Sequence, residues 1–180
     1  MTWQADLLRR YADLFNPQEQ PELTRGYPAV GDGWRELVEK AVARIAEAVA
    51  ALPEGSLRIT QIKEKLAGIR IYTTTRRRLP AEVAAKIEEA IDLAEARSYC
   101  TCETCGAVGD LYDDDGWFMT RCERHAKGER LPKNYDDDLH IKFEIVGGKR
   151  RVIACRRYDR ERDALVDAPL PPGNEWIEEA

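Results

Sequence analysis

Long apolar runs are missing from this 180-residue chain: nothing approaches the ~20 consecutive residues that a helix needs to cross a bilayer. No membrane partner is therefore expected. The first residues, Met1 to Asp6, offer neither a basic n-region nor an apolar h-region, so no secretory leader is recognised and a cytoplasmic location is expected. Histidine occurs only twice, which leaves little material for histidine-based catalysis. Phosphate loop, nucleophile elbow, dinucleotide fingerprint and kinase signature are all absent. Positive charge is not in excess either: the net charge of -5 argues against coating nucleic acid by bulk attraction. With 43% apolar and 34% charged residues, the composition is nonetheless that of a folded globular chain and not a disordered one.

Cysteine is sparse but concentrated. Four of the five cysteines fall between residues 100 and 122, with His125 just behind. A disulfide framework scatters its cysteines, and a reducing cytosol does not sustain one, so the cluster reads as a metal site. Cys102 and Cys105 are separated by two residues and followed by Gly106; Cys122 and His125 repeat the spacing. Two such pairs on tight turns converge on one tetrahedral ion, which points to Zn2+. Residues 121–127 have helical propensity, so the second pair is expected on one helical face. A knuckle, a hairpin and a ligand-bearing helix resemble the treble-clef finger. The alternative ligand is Cys100, which could pair with Cys102. Four ligands, three of them thiolates, close the coordination shell, whereas a catalytic zinc keeps a position open. The His-x-Glu signature of zinc deaminases is absent, and His140 lacks the partner histidine of a treble-clef nuclease. A structural zinc is the expectation.

Around this cluster the pattern is α+β. Trp3, Leu7, Leu8, Tyr11, Leu14 and Phe15 define a short amphipathic helix closed at Asn16-Pro17. After an irregular connection, Asp32 is the expected N-cap of a helix running from Trp34 to about Ala51. Thr60 is expected to cap a further short helix through Leu66, ended by Gly68, followed by a strand over residues 69–73. Pro80 at a first helical position opens a second long helix, with Ile87, Ala90 and Ala94 on its buried face. Asp113, Asp114, Asp115 and Gly116 form the expected turn of a hairpin inside the finger. Beyond it, residues 139–145 alternate, Gly147-Gly148 marks a hairpin, and residues 151–155 return; residues 164–166 add a third strand. The implied divisions are a mainly helical region 1–99 with one short strand, a zinc module 100–133, and a β-meander with tail 134–180 in which Trp176 is the expected anchor.

Three other features invite functional readings. Residues 58–99 hold nine Lys/Arg against six Asp/Glu, and residues 134–180 hold eight against eleven. Arg76, Arg77 and Arg78, with Arg70 and Tyr72 before them, are candidate nucleic-acid contacts, the arginines for phosphate and the tyrosine for stacking. The competing reading is a solvated strand-to-helix loop. Two acidic runs, one at residues 113–115 and one formed by Asp136, Asp137 and Asp138, are candidate sites for a hard divalent cation or simply solvated turns. Cys155 is expected to face the same way as Ile153 in a buried apolar role.

The ordered series Gly31-Asp32-Gly33-Trp34, Gln61-Ile62-Lys63-Glu64-Lys65, Gly68-Ile69-Arg70-Ile71-Tyr72, Cys102-Glu103-Thr104-Cys105-Gly106, Gly116-Trp117 and Cys122 to His125 resembles small uncharacterised proteins of phages and prophages. The likeness spans residues 30–126. It implies the cytoplasm of a bacterial host, no known activity, and action by contact with a host or phage protein, including defence nucleases. Three functional classes follow: a zinc-stabilised protein-binding inhibitor or adaptor, a nucleic-acid-binding regulator, and a metal-dependent nuclease using the aspartate runs.

Overall fold

A computed structural model of the chain describes residues 2–132 and 139–170. Two compact units are resolved, Met1–Leu131 and Pro132–Ala180. Asp136, Asp137, Asp138 and Trp176 lie outside the described residues.

In the first unit, α1 (Trp3–Arg10) is capped by the Thr2 hydroxyl, and α2 (Ala12–Phe15) follows after a break at Tyr11. The long stripe read from Trp34 onward forms α3 (Arg35–Val49), with Leu37, Val38, Ala41, Val42 and Ile45 buried. Asp32 is not its N-cap. It begins a 3-10 turn, Asp32–Trp34, and its carboxylate accepts a 2.7 Å hydrogen bond from the Trp3 indole. The carboxylate thus serves a tertiary partner in α1 and not the local helix end. Pro80 sits one position earlier than expected, as the residue before α4 (Ala81–Ser98).

The short helix expected after Thr60 is a strand. β2 (Leu57–Lys65) pairs antiparallel with β3 (Gly68–Thr75) and parallel with the two-residue β1 (Pro28–Ala29). A bulge between Ile59 and Gln61 shifts the alternation, so Ile59 and Ile62, three residues apart, are both buried. Gly68 opens β3 instead of ending a helix, and the Tyr99 ring leaves it no room for a Cβ. Leu66 and Ala67 form the turn, both at positive φ (52° and 65°), the geometry of a two-residue hairpin that ordinarily calls for Asn-Gly. α1 to α4 bury one face of this sheet, and Trp3, Phe15, Trp34, Ile59, Ile62 and Ile69 belong to a single core cluster.

α4 leads into β4 (Asp110–Asp114) and β5 (Trp117–Arg121), joined by Asp115 and Gly116, both at positive φ; β6 (Glu129–Arg130) pairs with the other side of β4. The second unit is an antiparallel meander of β7 (Leu139–Val146), β8 (Lys149–Asp159) and β9 (Ala164–Asp167). A register shift leaves Ile153 as an extra residue in β8, so Cys155 and Ile153 do not share one environment. Cys155 lies opposite Ile141 and is half-buried, whereas Ile153 is 56% exposed. With helices on one face of a sheet and two further antiparallel sheets, the chain is α+β.

Candidate metal centre

Each pair of metal-type residues is presented by a turn at one end of the β4–β5 hairpin. In the first turn, Gly106 N–H bonds back to Cys102 O at 2.8 Å, and Cys102 N–H bonds to Ala107 O at 2.8 Å. Gly106 adopts φ 77°, a conformation that a side chain disfavours. The second turn departs from the treble-clef expectation. Residues 121–127 make no helix; His125 N–H and Ala126 N–H both bond to Cys122 O at 2.9 Å, and the chain then turns at Gly128 into β6. One hydrogen-bonded turn is too short to sustain a helix, and a Cβ at Gly128 would lie 2.0 Å from Asp113 O, so the chain is held against β4.

The ligand atoms of Cys102, Cys105, Cys122 and His125 all lie within 4.8 Å of one another, the only such group of three or more among the described residues. Cys105 Sγ is 3.7 Å from Cys122 Sγ, and His125 Nδ1 is 3.6 Å from Cys102 Sγ and 3.3 Å from Cys122 Sγ. Tetrahedral ligands at zinc bond lengths stand about 3.8 Å apart for two thiolates and about 3.5 Å for a thiolate and an imidazole nitrogen. A disulfide requires about 2.05 Å, so the 3.7 Å sulfur pair is unbonded. The residues present therefore fit a metal ion. Cys100 is outside the group; its thiol donates to Arg97 O at the end of α4.

Electrostatics favour a cation. Burial raises the Cys102 thiol, but the backbone N–H groups of Cys122 and Cys105 and the His125 ring outweigh it and bring the group down to about 6. Cys105 is raised: the Ala107 N–H lowers it, but desolvation and the sulfurs of Cys102 and Cys122 prevail. Crowded sulfurs resist sharing negative charge until a cation joins them.

The centre also grips the segment before α3. Gly33 N–H donates to Glu103 O at 2.8 Å, and Gly31 N–H donates to the Glu103 carboxylate at 3.0 Å. The other Glu103 oxygen accepts from Arg121 at 2.8 Å. The Trp34 indole, fully buried, donates to Thr101 O at 2.7 Å. Thr120, also buried, donates to Ala67 O at 2.7 Å, tying β5 to the β2–β3 turn. Sequence reading missed these partners, because Gly31 and Glu103 are 72 positions apart. The one available signal was the Gly31-x-Gly33-Trp34 sequence just before α3.

The remaining candidates separate. Arg70 is engaged structurally: it pairs with Glu95 at 2.9 Å and donates to the Tyr99 hydroxyl at 2.9 Å, joining β3 to α4. Burial lowers its pKa, but Tyr99 and Glu95 more than compensate and raise it. Tyr72 is 42% exposed on β3, with Lys63 Nζ 5.6 Å from its ring centroid. Arg76, Arg77 and Arg78 are exposed in the β3–α4 loop. Asp113, Asp114 and Asp115 join no metal group; Asp113 accepts from Gly116 N–H at 2.7 Å and closes the hairpin turn. No described helix is long and apolar enough to cross a membrane. No protein family, curated protein or solved structure matches the chain.

Proposed function

We propose that Cys102, Cys105, Cys122 and His125 hold one Zn2+ as a structural fastener and that the protein acts by binding another protein. The donor set supports the first half. Three thiolates and one imidazole fill a tetrahedron, leave no position for substrate, and supply cohesion instead of Lewis acidity. Binding at such a set contributes on the order of 10 kcal/mol to the folded state.

The observation that carries the second half is the apolar surface of the meander. Ile145 is 76% exposed, Ile153 56%, Val146 53% and Phe143 42%, and no described residue of that unit is buried. Strand alternation puts Leu139, Ile141, Phe143 and Ile145 on one face of β7, with Cys155 and Val152 opposite Ile141 and Phe143. The apolar row of β7, with Phe143 and Ile145 exposed, supports a contact surface for another protein. The partner is a host or phage protein met in a bacterial cytoplasm, the setting implied by the motif order. The test is affinity capture from bacterial lysate with metal-loaded wild-type protein and with an Ile145→Lys/Ile153→Lys variant. A stoichiometric protein lost from the variant at unchanged zinc content is the expected result. Equal capture by both, or a wild type that only self-associates on sizing, overturns the reading.

A further inference from the structure

The face of the β1–β2–β3 sheet opposite its isoleucine core, reached by α4 at Arg70, carries a second chemistry. Ile59, Ile62, Ile69 and Ile71 occupy its inner face. The register pairs Gln61 with Tyr72 and Lys63 with Arg70, so alternation brings Gln61, Lys63 and Lys65 of β2 together with Arg70, Tyr72 and Thr74 of β3 on the outer face. β3 ends in the loop of Arg76, Arg77 and Arg78, whose first amide bonds to Ser56 O beside the start of β2. Cations thus stand at both ends of the hairpin, Lys65 at one and the three arginines at the other, about 27 Å apart at the strand rise. Tyr72 lies between them with an exposed ring.

Charge on this face is not neutralised from within. Lys63, Lys65, Arg76, Arg77 and Arg78 have no ion-pair partner among the described residues. Glu64 is occupied at the hairpin turn, where it accepts from Ala67 N–H at 2.7 Å, and Glu95 is occupied by Arg70. Five cations without an ion-pair partner, one of them Lys63 lying 5.6 Å from the Tyr72 ring centroid, in a chain of net charge -5, form a localised site and not a general basic surface. The geometry points to this face as a binding platform for single-stranded nucleic acid. Arg76, Arg77, Arg78 and the lysines neutralise phosphates, and Tyr72 stacks on a base. A duplex is the poorer ligand, because its base faces are already stacked and only its phosphates meet the sheet. The sugar is left open, since stacking and phosphate contact serve RNA and DNA alike.

The platform goes beyond the protein-contact reading and belongs to the other unit, so the two fail separately. The experiment is fluorescence anisotropy with labelled oligothymidine and oligouridine of about 12 nucleotides and a duplex of the same length, between about 50 and 200 mM salt. Wild type is expected to prefer either single strand over the duplex, with affinity falling as salt rises. Tyr72→Ala should weaken binding about ten-fold while Tyr72→Phe retains it. Replacing Arg76, Arg77 and Arg78 with Gln should reduce the log–log salt slope by about two. The Ile145→Lys/Ile153→Lys variant should bind as wild type does, and zinc content should be unchanged throughout. Absence of binding, equal affinity for duplex, or indifference to Tyr72→Ala overturns the proposal. Competition by polyglutamate as strong as by oligonucleotide of equal charge also overturns it, because the face would then be a site for acidic peptide.

Discussion

At Gly33 one methyl group decides whether the first ligand turn can close. A Cβ there would lie 2.2 Å from Cys102 O, 2.4 Å from Gly106 N and 2.5 Å from Cys105 N, all backbone atoms that cannot swing aside. Gly33→Ala is therefore expected to destabilise the zinc-loaded protein by about 2–3 kcal/mol and to accelerate zinc loss to a chelator. Unaltered unfolding and release would show that the contact is loose. Cys105→Ser removes an exposed ligand and should abolish stoichiometric zinc, measured by metal analysis of the purified protein. Zinc-loaded protein should also respond to acid in a defined direction. The Cys102 thiol is brought down to about 6 in the folded chain, below an unfolded thiol near about 8.5, so its contribution is present above the unfolded value and lost as pH falls through about 6. Denaturant midpoints of the zinc-loaded protein should fall across that window. The grouping of Cys102, Cys105, Cys122 and His125 was legible in the sequence because both pairs are local, two residues apart on tight turns. Gly33 was not, because its constraint comes from atoms about 70 positions away along the chain.

Elements with one uninterrupted period were equally legible. α3 has an apolar residue at every turn, and the meander alternates up to a Gly-Gly turn. β2 was hidden by its ends: Thr60 looks like a helix N-cap and Gly68 like a helix C-terminus, and the bulge at Thr60 breaks the alternation that would have marked a strand. That misreading also hid Gln61, Lys63 and Lys65, which only a strand brings beside Tyr72. The β2–β3 turn holds Leu66 at φ 52° with 64% of its surface exposed, strain without compensating burial. Leu66→Asn should raise stability by up to about 1 kcal/mol, read as a higher denaturant midpoint. A decrease would mean that the exposed leucine makes a stabilising contact. Ala67 next to it is different: it is fully buried and its carbonyl receives Thr120, so its backbone position is held by the zinc hairpin.

Across the whole molecule the metal centre acts as a clasp between distant parts of one unit. The first ligand turn holds residues 31–33 through Glu103, Trp34 reaches back to Thr101, and the hairpin between the ligand pairs anchors the β2–β3 turn. A metal ion held there would fasten the entry to α3 and one end of the β2–β3 hairpin as well as its own module. The meander of the second unit shares none of these bonds. Hydrogen–deuterium exchange on the zinc-loaded and chelated protein, with metal content measured in parallel, tests this most directly. The expected result is a large loss of protection at residues 31–34, 66–69 and 101–125 on chelation, with β7 to β9 unchanged. Retained protection at residues 31–34 in protein shown to be free of metal would contradict it.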